Sequence, residues 1–206
     1  FSGFALQPAR PMRRATLGAL ALAMPLAAVC APESYTLDPF HTYPHFAVDH
    51  LGVSTMWGRF DRTTGKFTLD RAARTGLLEL TVETASLSTG DSRPGSPAQR
   101  RDEHLRNADF FNVAEFPRMT YRAAEVRFAG DDPAEVTGQL TLLGVTRPLT
   151  LKIERWTCRN NPFNKKPMCG GNASGTLKRS DFGMKYGLPS VGDEIRLYVE
   201  FEGYRD

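Results

Sequence analysis

The chain has 206 residues, with 26 Lys or Arg against 23 Asp or Glu, a formal net charge of +3. That length suits one domain with a substantial core, or two small ones. The excess charge comes from Arg10, Arg13 and Arg14; residues 31–206 hold 23 basic and 23 acidic residues, so nothing there favours nucleic acid or an anionic membrane surface.

Met12 is followed by Arg13 and Arg14, then ATLGALALAMPLAAV, then small residues around Cys30 and Ala31. A short positive region, an apolar run and small residues at its end form the pattern of a secretory signal peptide. It is expected over 12–30, after an upstream segment 1–11 and before a single domain over 31–206. The run is shorter than the roughly 20 residues of a spanning helix, and Pro25 interrupts it. The expected location is therefore the periplasm, with no stable membrane insertion. A lipid anchor on Cys30 is the rival reading, against which Val29 stands as a bulky neighbour.

From Tyr35 onward short apolar segments alternate with polar residues between Gly, Pro and Asp turn signals. Phe46 and Val48 alternate with Ala47 and Asp49; Leu78, Leu80 and Val82 with Glu79, Thr81 and Glu83. Val136, Gly138, Leu140 and Leu142 share one parity, as do Leu149, Leu151 and Ile153, and Ile195, Leu197, Val199 and Phe201. About eight such strands are expected, each with one wet and one dry face, joined as antiparallel neighbours by short connections such as 129–135 and 143–148. Such a sheet closes into a barrel or folds as a sandwich, and periodicity allows both. One stretch differs: AQRRDEHLRNADFF, after 88-STGDSRPGSP-97, is a polar helical segment of two or three turns.

Three of the four histidines lie within 41-HTYPHFAVDH-50. On one strand His41 and His45 would stand about 13 Å apart, and His45 and His50 about 16 Å, at roughly 3.3 Å per residue. A shared metal needs ligands about 2 Å from the ion, so no metal site is expected from them. His50 shares the inward parity of Phe46 and Val48. No nucleophile motif and no phosphate loop occurs, so neither catalytic residues nor a cofactor are expected. Ten residues, rich in Asn, Pro and Lys, separate Cys158 from Cys169. In an exported chain they read as a disulfide staple, since a redox pair is usually Cys-x-x-Cys.

The segments 35-YTLDPFHT-42, FAVDHLGVSTMWGRF, RDEHLRNADFFNVAEFP, TGQLTLLGVTRPLTL and 179-RSDFGMKYGLPSVGDEIRLYVEFEG-203 stand in an order that resembles the YceI-like family of exported, polyisoprenoid-binding, lipocalin-like proteins. Thr42 stands where that family usually has Ser, and His45 is not part of its pattern. The resemblance implies an all-β, eight-stranded antiparallel lipocalin-like barrel with a short helix near one mouth. It also makes the strands bearing Cys158 and Cys169 neighbours. The implied function is binding an amphiphilic isoprenoid-type lipid: a polyprenyl compound, a quinone-like molecule or a long-chain amphiphile. Phe46, Val48, Leu80, Val82, Leu140, Leu151, Leu197 and Val199 would line the cavity, and Gly138 and Gly175 would leave room. His50, Arg106, Asn107 and Asp181 are candidates for the polar head at the mouth. A filled structural barrel and an enzyme acting on lipid-like substrates are the alternatives. A homodimer is compatible with this reading and not required by it.

Overall fold

The computed structural model describes Gly3 and residues 31–206. The expected leader over 12–30, with Cys30, lies outside the described residues, as does the rest of the upstream segment. Eleven strands follow: β1 Glu33–Leu37, β2 Tyr43–His50, β3 Ser54–Phe60, β4 Thr63–Asp70, β5 Thr75–Glu83, β6 Leu87–Ser88, β7 Arg118–Ala129, β8 Asp132–Leu142, β9 Val145–Asn160, β10 Pro167–Lys178 and β11 Val191–Arg205. Between β6 and β7 lies one helix, α1, Pro97–Arg106.

The order β1-β4-β5-β7-β8-β9-β10-β11 closes on itself, because β11 pairs with β1 through Tyr35↔Arg205 and Leu37↔Gly203. This is the eight-stranded antiparallel barrel, and the ambiguity between barrel and sandwich is resolved. Two of its positions are broken strands. The first half of β11 pairs with β2 rather than β1, and β2 continues to β3 and then to the two-residue β6. The break between β1 and β2 falls at 38–42, where Thr42, fully buried, bonds through its hydroxyl to the Glu202 carbonyl at 3.3 Å.

Turn chemistry closes the hairpins. Leu143 and Gly144 adopt φ of 52° and 72°, joining β8 to β9 through a two-residue loop. Positive φ at both central residues matches the twist of the flanking strands. Helix α1 starts where Ser96 accepts a hydrogen bond from the Gln99 amide at 3.0 Å and Pro97 occupies the first turn. Its buried face is small, Ala98 and Asp102; the Asp102 carboxylate accepts from the Thr89 amide at 3.0 Å and ties the helix to the segment after β6.

Inward side chains form two clusters. The larger contains Phe60, Val82, Leu87, Phe110, Phe111, Tyr121, Leu140, Leu149 and Leu151, toward the end covered by α1. The smaller contains Tyr35, Leu37, Phe67, Leu69, Phe128 and Cys169. Cys158 and Cys169 face each other directly across the β9–β10 ladder and are bridged, with Cα atoms 4.0 Å apart. That is shorter than the usual span of about 4.4–6.8 Å; the two residues are direct antiparallel partners, the closest arrangement a sheet offers.

Candidate ligand-binding cavity

Inside the barrel lie two cavities. The larger, about 150 Å³, extends under α1 and the segments around it. The smaller, about 70 Å³, lies toward the disulfide end, bounded by Leu37, Phe67, Leu69, Trp156 and Phe201. A dry cavity of about 150 Å³ accommodates a molecule the size of benzene, so a longer chain requires side chains to move.

All eight apolar residues expected to line the interior do so. Phe46, Val48, Leu80, Val82, Leu140, Leu151, Leu197 and Val199 surround the larger cavity. The four polar candidates do not. Arg106 turns away, because its guanidinium donates to the carbonyls of Ala85 (3.0 Å) and Leu87 (2.5 Å). Asn107 is exposed beyond the end of α1, its side chain accepting from the Asp109 amide at 2.8 Å. Asp181 is exposed in the turn after β10. His50 ends β2 between Ser54 and Val191, half-buried and outside the cavity wall despite its parity. Gly138 also has a different role: a Cβ there would stand 2.4 Å from the Arg122 carbonyl oxygen and 2.7 Å from the Ala123 Cβ. It permits close strand approach rather than ligand room.

Sequence reasoning missed several wall residues: Leu105, Phe110, Phe111, Met119, Leu177, Met184, Val191 and Ile195. The aromatic pair ending ADFF is the signal that was available for two of them. Arg179 was also missed. It is 2% exposed, and burial lowers its pKa. Its guanidinium donates to the carbonyls of Met184 (3.2 Å), Tyr186 (2.9 Å), Val191 (2.8 Å) and Gly192 (2.8 Å). One arginine thus shapes the 184–192 segment, from which Met184 and Val191 project into the larger cavity.

The interior chemistry is almost wholly hydrocarbon. Tyr121 brings a hydroxyl, but that group lies 3.0 Å from the Leu149 carbonyl oxygen and 3.1 Å from that of Val136. Burial pushes its pKa well up, so the phenol stays neutral. The lining offers a hydrocarbon chain apolar contact and little else.

Outside the barrel, the break between β1 and β2 brings His41 beside two carboxylates, Asp38 and Glu202. His41 Nδ1 is 2.7 Å from Asp38 Oδ2 and 3.9 Å from Glu202 Oε2. The three side chains could offer a metal ion one ligand atom each. His41 sits in a turn and Glu202 comes from β11, so spacing along one strand does not bear on this group. The His41 side chain is 60% exposed, and its contact with Asp38 is an ion pair when the imidazole is protonated. The hydrogen bond to Asp38 raises the His41 pKa.

A closed, eight-stranded antiparallel barrel enclosing apolar cavities is the class of protein that fold and site define. The chain belongs to the YceI-like family: the family's domain model matches residues 35–203. A UPF0312 protein of Pseudomonas aeruginosa is 36% identical over 199 residues, covering 94% of this chain and 100% of that protein. Among solved structures, the Campylobacter jejuni YceI protein superposes with a TM-score of 0.63 at 28% identity, covering 77% of this chain and 90% of that one. A domain from Saccharophagus degradans, described as polyisoprenoid binding, shares the fold with a TM-score of 0.60 at 16% identity, covering 84% and 98%.

Proposed function

We propose that this protein binds an amphiphilic isoprenoid-type lipid, a polyprenyl or quinone-like compound, in the barrel and carries or buffers it in the periplasm. The observation that carries this reading is the cavity of about 150 Å³ with an almost wholly apolar lining, where the Tyr121 hydroxyl is turned to carbonyl oxygens. An apolar chain gains about 0.8 kcal/mol per methylene buried there, and the polar side chains it meets, such as Tyr121 and Arg179, already bond to backbone carbonyls. The polyisoprenoid-binding relative of the same fold and the leader expected at 12–30 support the ligand class and the compartment respectively. Because the wall is apolar, the polar head stays outside it, near the end covered by α1. A filled structural barrel is the second reading, favoured by the small resting volumes of about 150 and 70 Å³.

Calorimetric titration of lipid-stripped protein with geranylgeranyl phosphate distinguishes the two. Saturable binding at micromolar affinity or tighter, with a negative heat-capacity change, is the expected result. Heats of dilution alone, at every temperature, would favour the filled barrel.

A further inference from the structure

The two cavities are separated by a single layer of side chains. Leu80, Leu151 and Val199 line both. Two residues away on each strand, the wall belongs to one cavity only. Val82, Leu149 and Leu197 face the larger, whereas Leu78, Ile153 and Phe201 face the smaller. Two residues of strand span about 6.6 Å, so the partition is one inward residue thick on β5, β9 and β11. Its leucines pack against glycine backbone. A Cβ on Gly65 would stand 3.0 Å from Leu80 Cδ2, and one on Gly175 would stand 2.9 Å from Leu151 Cδ2. The glycines themselves put no side chain against those leucines, and the neighbours there are the flexible ends of Leu37 and Leu149.

We infer that Leu80, Leu151 and Val199 form a chain-length gate, behind which the smaller cavity admits only the end of a long apolar chain. This rests on the lipid-binding reading above. A short prenyl chain is buried in the larger cavity by movement of that cavity's other wall side chains and leaves the gate shut. A longer chain gains further burial by pushing the leucines aside, at roughly fourfold in affinity per additional methylene. The gate thus sets a threshold of length rather than a fixed fit.

The protein carries its own reporter. Trp156 lines the smaller cavity, whereas Trp57 is half-exposed on the outer surface. In a Trp57→Phe background, emission therefore reports entry behind the gate. The titrants are geraniol, farnesol, geranylgeraniol and solanesol, with occupancy measured by native mass spectrometry. Short alcohols are expected to bind without moving Trp156 emission, and long ones to bind and shift it. Leu80→Ala and Leu151→Ala should raise the affinity ratio of geranylgeraniol to farnesol about tenfold, and Leu80→Phe should lower it. If an alanine variant loses its melting transition, Leu80→Val and Leu151→Val should move the ratio in the same direction by a smaller factor. An unchanged ratio in folded variants would overturn the gate while leaving lipid binding intact. So would an equal Trp156 response to geraniol and solanesol. Absence of binding by every alcohol would instead overturn the lipid-binding reading, and the gate with it.

Discussion

The hydroxyl of Tyr121 lies 3.0 Å from the carbonyl oxygen of Leu149, the neighbouring inward residue two positions before Leu151. That contact keeps the larger cavity free of polar demand, since an unpaired buried hydroxyl would otherwise oppose an apolar ligand. Replacing Tyr121 by Phe removes a hydrogen bond of about 1 kcal/mol and should lower the melting temperature by roughly 2–4 °C. Affinity for geranylgeranyl phosphate should stay within about twofold, because the hydroxyl is spent on the backbone. Titration beside a thermal melt checks both; a tenfold loss of affinity would place the hydroxyl on the ligand.

Val48 projects into the larger cavity from β2. Substituting Trp should fill the space a ligand needs, while the strand pairing of Val48 with Met56 and Ile195 persists. A cost of about 1–3 kcal/mol is expected from overpacking. Retention of a cooperative melt with loss of lipid occupancy is the expected pair of results. Full occupancy in a folded Val48→Trp protein would remove this residue from the ligand path.

The bridge between Cys158 and Cys169 closes an eleven-residue separation at the far end of the barrel. In the chain-entropy model so short a loop contributes about 3 kcal/mol. The barrel has its own two clusters of buried side chains, so reduction should shift the denaturation midpoint without abolishing folding. Denaturant titration with and without reductant measures this, and thiol assay of the denatured, unreduced domain should find both cysteines blocked. Two reactive thiols would contradict it.

His41 should hold its proton above the ordinary value of 6.5, because Asp38 hydrogen-bonds its ring and Glu202 lies nearby. A raised folded pKa favours the folded state below the unfolded value, and that contribution is lost as pH rises through the folded pKa. Because the side chain is 60% exposed, the effect on stability is a few tenths of a kcal/mol after screening. The sharper readout is the imidazole's own NMR titration: a midpoint above 6.5 in the native protein, moving down in Asp38→Asn. A native midpoint at or below the ordinary value would show that the pair does not form in solution.

Much of this wall was legible because strand parity is a strong physical constraint: a residue such as Leu197 or Val82 has only two faces to choose between. Parity failed where cover comes from elsewhere. Ala47 points away from the cavity residues Phe46 and Val48, yet it is 0% exposed. Its cross-strand neighbour is Trp57, whose ring packs 5.4 Å from that of Tyr198 on the outer surface. His50 has inward parity but sits at the strand's last position, past the cavity. Arg106 and Asn107 are the right chemistry for a polar head at a barrel mouth, but local backbone groups claim their side chains first. Arg179 was illegible for the opposite reason: its burial depends on four carbonyls, two in a loop and two at the start of β11, whose meeting no local pattern specifies. The meeting of Asp38, His41 and Glu202 likewise depends on β11 returning beside a break between two strands.

The most direct test of lipid binding is what the protein already holds. Protein purified without detergent from its native host is extracted with organic solvent, and the extract is examined by mass spectrometry beside that of Val48→Trp. The expected result is a prenyl-chain or quinone-like lipid in near-stoichiometric amount from the native protein, sharply reduced in the variant. Extracts free of any such lipid in both, from well-folded protein, would contradict lipid binding and leave a structural barrel in its place.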